Sequence, residues 1–139
     1  MPFVRFRTAC YIVGGLQLLI GLGILAQGAA NAMAPYGVPE ATRALPHYRD
    51  AIAWVYVHTC VLGALMVVVG RYAEAPALKR AFARAVFGAL LVYAALDFRS
   101  SEPVGIGLYE GPQSIVPALI CTVMIALFVG PAFRGDPEP

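Results

Sequence analysis

The chain has 139 residues, of which 60% are hydrophobic and only 13% are charged, and its mean hydropathy is +0.73. A soluble domain is about half apolar and about a quarter charged. The formal net charge is +2, and no segment is basic enough to bind nucleic acid. These figures exclude a disordered chain and predict a small integral membrane protein, with one domain over residues 1–139.

Four apolar segments are long enough to cross the hydrocarbon core of a bilayer, which takes about 17–25 helical residues. They cover residues 9–34, 51–70, 81–98 and 114–133. The polar segments between them carry the prolines and glycines that end helices or form turns. These connections are residues 35–50, 71–80 and 99–113. The pattern predicts an all-α fold, a four-helix transmembrane bundle with up-down, antiparallel topology.

Shorter signals refine the connections. Pro39 favours a short helical turn over residues 39–45. Ser114 is predicted to cap the last helix, with Pro117 in its first turn. The segment 99–113 reads RSSEPVGIGLYEGPQ and mixes glycines with apolar residues. It is expected either to fold back over the bundle or to form an ordinary connection.

The basic residues are distributed unevenly between the two ends of the predicted bundle. Seven lie near the termini and the middle connection, namely Arg5, Arg7, Arg71, Lys79, Arg80, Arg84 and Arg134. Three lie in the other connections, namely Arg43, Arg49 and Arg99. Because basic residues favour the cytoplasmic side, both termini are predicted to be cytoplasmic, in a cell inner membrane. A cleaved signal peptide is a second interpretation of the first segment, but its length favours a retained helix.

The first apolar segment carries a regular row of small residues. Gly14, Gly21 and Gly28 are spaced by seven, and Gln17 lies three residues after the first of them, so the four share one helix face. Glycine allows close approach of a second helix, and glutamine can form hydrogen bonds across the contact. Packing inside the bundle is the favoured interpretation of this row. A face for a homo-oligomer or a membrane partner subunit is the alternative.

Polar and ionisable residues concentrate in the outer halves of the predicted helices. An ionisable side chain inside a membrane is costly and usually faces the interior of the bundle. The sequence therefore predicts an outer polar cavity centred on His58 and Asp97. The expected ligand-binding residues are Asp50, Trp54, His58, Tyr93, Asp97, Arg99 and Gln113. In a purely structural interpretation, Asp97 pairs with Arg99 or His58 and only holds helix ends together.

Three functions remain open for this cavity. The expected one is binding of a lipophilic small molecule or of a partner subunit. A cofactor-free enzyme is an alternative, because a carboxylate with a His or Tyr can transfer protons on an isoprenoid-like substrate, as in an isomerase or cyclase. The catalytic candidates are then His58, Asp97, Tyr93 and Glu110. The third function is that of a non-catalytic assembly subunit in a membrane complex.

No motif indicates a metal or a cofactor. His47 and His58 lie on one segment, and neither HxxxH nor HExxH occurs. Cys10, Cys60 and Cys121 lie in apolar runs without a CxxC pair. We interpret them as small apolar residues and not as disulfide or zinc ligands. The sequence predicts no metal, no cofactor and no nucleic-acid partner.

Several stretches together carry a family likeness that covers most of the chain. They are the first span (GGLQLLIGLGIL), the entry to the second (HYRDAIAW), the basic connection (RYAEAPALKR) and the outer stretches DFRSSEP and LYEGP. Their order resembles the small bacterial inner-membrane proteins of the DoxX-like and related four-helix families. The resemblance implies a membrane four-helix bundle with an accessory role, and it supplies no catalytic residue.

Overall fold

The structure, a computed structural model, describes residues 4–106 and 110–134. Its α-helices are α1 (Phe6–Gln27), α2 (Glu40–Ala44), α3 (Pro46–Tyr72), α4 (Pro76–Ser100) and α5 (Val116–Phe133). Two 3₁₀ turns, Asn31–Tyr36 and Pro112–Ile115, precede α2 and α5. Four helices, α1, α3, α4 and α5 with its preceding turn, are long and apolar enough to cross a membrane. The predicted all-α four-helix fold is confirmed, and the chain is a multi-pass integral membrane protein.

α1 ends at Gln27 and does not continue to residue 34 as the apolar pattern predicted. Gly28 has a φ of 84°, in the left-handed region that glycine adopts without steric strain. Its N–H donates to the carbonyl oxygen of Leu25 at 3.1 Å, which closes the helix end. Gly28 therefore terminates α1 instead of extending the predicted row of packing residues.

α3 and α4 begin earlier than the apolar segments indicated. They start at Pro46 and Pro76, because proline fits a first helical turn, where the missing N–H has no helical partner to lose. The connection between these helices is therefore residues 73–75 and not 71–80. The predicted short helix after Pro39 is present as α2.

The four long helices form two antiparallel pairs. α1 packs along α3, α4 packs along α5, and a smaller contact between α1 and α5 joins the pairs. α3 and α4 follow one another in the chain but share no extensive contact. One apolar core runs through both pairs and includes the buried side chains of Phe6, Val13, Leu90 and Phe128.

Glycines bring α1 and α3 into backbone contact. A Cβ placed on Gly14 would lie 2.6 Å from the carbonyl oxygen of Gly63, and one on Gly21 would lie 2.5 Å from Sγ of Cys60. Gln17 lies beside Gly63 in the same contact. Its side-chain oxygen is buried and has no hydrogen-bond partner among the described residues. Gly14, Gln17 and Gly21 thus serve packing within the chain.

We call one end of the bundle the terminal end; it holds residues 4–5, 73–75 and 134. At this end, each helix pair has an arginine on its first helix that binds a carbonyl oxygen near the end of its second helix. Nε of Arg7 donates to Gly70 at 3.3 Å, and Nε of Arg84 donates to Ala132 at 3.0 Å. A cationic donor at a helix C-terminus satisfies a free carbonyl group and complements the helix dipole.

We call the opposite end the loop end; it holds residues 28–45, 101–106 and 110–115. The two connections bind one another there. The N–H of Glu110 donates to the carbonyl oxygen of Tyr36 at 3.2 Å, and Nε2 of Gln113 donates to that of Pro35. Residues 110–115 therefore fold back onto the first connection. Residues 107–109, which belong to the same predicted fold-back, lie outside the described residues.

Ser114 does not cap α5 as its position in the sequence suggested. The turn Pro112–Ile115 precedes the helix, which begins at Val116. The Oγ atom of Ser114 instead accepts a hydrogen bond from the N–H of Glu102 at 3.2 Å. The buried hydroxyl thus ties the end of α4 to the start of α5, and Pro117 lies in the first turn of α5 as predicted.

Candidate functional site

His58 and Asp97, the predicted centre of the site, lie on different helix pairs. His58 is an exposed residue of α3, and its Nδ1 lies 2.7 Å from the carbonyl oxygen of Trp54, one turn earlier. Asp97 is a half-buried residue of α4, and its Oδ2 accepts a hydrogen bond from Sγ of Cys121 on α5 at 3.7 Å. The structure does not bring His58 and Asp97 together, because α3 packs on α1 and α4 packs on α5.

The aromatic and basic candidates are exposed. Trp54 is 63% exposed, and its ring centre lies 5.7 Å from that of His58. Tyr93 on α4 is 50% exposed. Arg99, at the end of α4, is also exposed, and in the described part of the chain its side chain forms no ion pair with Asp97.

Glu110 and Gln113 hold the two connections together at the loop end. The side chain of Glu110 lies beside Gly37, where a Cβ would be 2.9 Å from Cβ of Glu110. The φ of Gly37 is 75°, so glycine serves both the backbone conformation and the close approach. Within residues 4–106 and 110–134, no hydrogen bond joins any two of the four catalytic candidates.

A cavity of about 750 Å³ lies at the loop end of the α1–α3 pair. The end of α1, the turn Asn31–Tyr36, α2 and the first two turns of α3 surround it. Asp50 lines this cavity, whereas His58 and Asp97 do not. This cavity therefore lies on the α1–α3 pair and differs from the one that the sequence predicted around His58 and Asp97.

The lining of the cavity combines apolar and charged residues, which we call its apolar part and its charged part. The apolar part includes Leu25, Ala29, Ala30 and Ala53. The charged part is formed by Glu40, Arg43, Arg49 and Asp50. Nε of Arg43 donates to the carbonyl oxygen of Val38 at 3.0 Å, which fixes the base of its guanidinium group.

The depth of the charged part follows from the composition of α3. Residues 51–70 contain no charged residue and span about 30 Å at about 1.5 Å per residue. That length equals the thickness of a typical hydrocarbon core. Arg49 and Asp50 therefore lie at the edge of this core, at the level of the lipid headgroups. Trp54 lies just inside the same boundary, where tryptophan is enriched in membrane proteins.

Three of the charged lining residues were not predicted as site residues from the sequence, namely Glu40, Arg43 and Arg49. Glu40 and Arg43 are three residues apart on α2, so they share one helix face, and Arg49 directly precedes Asp50. The available signal was the concentration of both charge signs within residues 40–50 of an otherwise apolar chain. Because α2 lies beside α3, these charged residues come together in the lining of one cavity.

Metal ligands do not cluster in the described part of the chain. No group of three or more His, Cys, Asp or Glu residues is placed to hold a metal ion there. Within the described residues Cys10, Cys60 and Cys121 form no disulfide; Cys10 and Cys121 are buried, and Cys60 is half-buried in the contact with Gly21.

Comparison of the chain with models of protein families, with curated proteins and with solved structures gave no match. The likeness to the DoxX-like families therefore stays a prediction. The fold and the site support one conclusion. The chain is a multi-pass four-helix membrane protein, and apolar and charged residues line a cavity at the loop end of its first helix pair.

Proposed function

We propose that the protein binds an amphipathic lipid molecule in the cavity at the loop end of the α1–α3 pair. The observation that carries this proposal is the presence of both apolar and charged residues in the lining of one cavity. An amphipathic ligand needs both, because its apolar chains gain free energy beside apolar residues and its headgroup needs polar partners.

The volume of the cavity fits a ligand of moderate size. Sites for small molecules commonly occupy about 300–1,000 Å³, and this cavity has about 750 Å³. That space accommodates a headgroup and the first part of its acyl chains, with the remaining chain length in the surrounding bilayer. Leu25 on α1 and Ala53 on α3 both belong to the apolar part of the lining.

The position of the cavity supports a ligand from the membrane. Arg49 and Asp50 of its charged part lie at the edge of the hydrocarbon core, where a lipid already places its own headgroup. A lipid entering from the bilayer plane therefore keeps its headgroup at the same depth and leaves its chains in an apolar environment. Binding then costs little desolvation of the ligand.

Native mass spectrometry of the protein purified in mild detergent tests this proposal. We expect retention of one lipid per chain. Ala53→Leu adds a larger side chain to the wall of the cavity and is expected to reduce the retained fraction strongly. Ala64→Leu makes the same change at an exposed position of α3 and is expected to leave retention unchanged. The proposal fails if no lipid is retained, if both variants behave alike, or if a second polypeptide occupies the site instead.

We also propose that the membrane is a bacterial inner membrane, with both termini in the cytoplasm and the cavity on the outer side. The seven basic residues toward the terminal end, against three toward the loop end, support this orientation. The exposed positions Ala41 and Glu74 test it when each is replaced by cysteine. A membrane-impermeant maleimide applied to intact cells is expected to label Ala41→Cys and not Glu74→Cys, and the reverse result contradicts the orientation.

A further inference from the structure

We propose that the lipid headgroup recognised by the cavity is zwitterionic, with one phosphate and one primary ammonium group, as in a phosphatidylethanolamine. This inference rests on the proposed lipid-binding function and specifies the ligand. It is carried by the charges that line the cavity and by the absence of aromatic side chains among its described lining residues.

The charged residues of the lining balance one another. Arg43 and Arg49 supply two positive charges, and Glu40 and Asp50 supply two negative ones. In the described part of the chain, no two of these four side chains form an ion pair. Opposite charges that share a cavity at the membrane edge without pairing leave both signs available to a ligand. A ligand that carries both signs satisfies them without adding net charge.

The arginines suit the phosphate. Nε of Arg43 is held by the carbonyl oxygen of Val38, which leaves the two terminal nitrogens of the guanidinium group for an acceptor. A guanidinium group binds phosphate oxygens with two parallel hydrogen bonds. Pro46, the first residue of α3, also lines the cavity, so the positive end of that helix dipole lies on the same side.

The acidic residues and Asn31 suit a primary ammonium group, which donates three hydrogen bonds. Glu40 and Asp50 offer carboxylate oxygens. Asn31 lines the cavity as well, and its Nδ2 donates to the carbonyl oxygen of Gln27 at 3.5 Å, so its side-chain oxygen remains available as an acceptor. All three groups accept hydrogen bonds, which the ammonium group supplies.

Two other common headgroups fit less well. A trimethylammonium group has no N–H to donate and is recognised by aromatic faces, but none of the described residues that line the cavity is aromatic. A purely anionic headgroup brings one uncompensated negative charge to a lining whose formal charge is zero. Such a headgroup has no cationic group for Glu40 and Asp50, and its charge is repelled by theirs.

Trp54 provides the measurement, because it is the only tryptophan of the chain and directly follows Ala53 of the cavity wall. The protein is reconstituted into phosphatidylcholine vesicles that contain increasing fractions of a brominated lipid. The brominated lipid carries an ethanolamine, choline or glycerol headgroup on identical chains. We expect the ethanolamine lipid to quench Trp54 fluorescence severalfold more effectively than the other two at equal fraction.

Variants of the charged residues connect this preference to the cavity. Arg49→Gln and Glu40→Gln each remove one charge from the lining and are expected to abolish the preference for ethanolamine. Arg80→Gln removes one charge from an exposed position near the terminal end and serves as the matched control that retains it. Circular dichroism confirms that each variant keeps its helices. Loss of the preference in the Arg80 variant overturns the assignment to this cavity.

The outcomes distinguish a failure of the headgroup assignment from a failure of the proposed lipid-binding function. Equal quenching by all three lipids, with one lipid still retained in mass spectrometry, overturns the zwitterionic headgroup and leaves the proposed function standing. Stronger quenching by the glycerol lipid also overturns it. Water-soluble glycerophosphoethanolamine shares the phosphate and ammonium groups. If it displaces the brominated lipid, the ligand is a soluble molecule and the lipid assignment fails; unchanged quenching supports the lipid.

Discussion

The two helix pairs share an antiparallel arrangement, but they are held together by different contacts. In the α1–α3 pair, the backbones meet at glycines: a Cβ on Gly14 would lie 2.6 Å from the backbone of Gly63, and one on Gly70 would lie 2.7 Å from Cβ of Cys10. In the α4–α5 pair, larger side chains such as Leu90 and Phe128 fill the contact.

This difference matters because lipid tails are as apolar as the helices themselves. Association of helices within a membrane gains little from the hydrophobic effect and depends on close packing and hydrogen bonds. A pair with backbone contact cannot accept an added methyl group, whereas a pair with side-chain contact is sensitive to atoms that are removed. The stability of the α1–α3 pair is therefore sensitive to added atoms, and the stability of the α4–α5 pair is sensitive to removed atoms.

The largest effect is expected for Gly14→Ala. The added methyl group meets a backbone carbonyl that cannot rotate away, so α1 and α3 must separate along their length. We expect a loss of about 2–3 kcal/mol in the free energy of unfolding, in the range typical of overpacked cores. Titration of the protein from mild detergent into SDS, followed by circular dichroism, measures this loss.

Gly15→Ala is the matched control, one residue away on the same helix. A Cβ at Gly15 has nothing within 4 Å, and alanine favours the helix over glycine by up to about 1 kcal/mol. The variant is expected to be as stable as the unmodified protein or slightly more stable. Equal losses for Gly14→Ala and Gly15→Ala would contradict the backbone contact and indicate a second helix on the other face of α1.

The sequence predicts the number of spans better than the ends of the helices. Apolar composition indicates which residues lie in the hydrocarbon core, but a helix extends as far as its backbone hydrogen bonds continue. α3 therefore begins at Pro46, among polar residues, and not at residue 51. α1 shows the reverse, because the residues after Gly28 are apolar while the positive φ of that glycine ends the helix.

The candidate site was predictable only in part, for a related reason. The sequence located polar residues at one end of the bundle, and Asp50 lines the cavity there. The predicted cavity around His58 and Asp97 followed from the tendency of ionisable residues to face the interior of a bundle, but α3 and α4 share no extensive contact. Arg43 entered the site through the folding of α2 against α3, a tertiary contact that hydrophobic periodicity does not indicate.

A smaller effect is expected for Phe128→Ala in the α4–α5 pair. Phe128 is fully buried, and its truncation leaves a cavity. In a soluble core such a change costs about 3–5 kcal/mol, part of which is the transfer of apolar atoms from water. Within lipid that part is largely absent, so we expect a loss of about 1–2 kcal/mol in the same SDS titration.

Leu119→Ala removes a large side chain from the same helix at a position that is 49% exposed. It leaves no internal cavity, because lipid chains fill the space, and is expected to change stability by less than about 0.5 kcal/mol. A loss as large as that of Phe128→Ala would mean that the outer face of α5 is covered by another protein surface. A loss for Phe128→Ala that exceeds that of Gly14→Ala would instead show that side-chain packing, and not backbone contact, contributes most to the stability of the bundle.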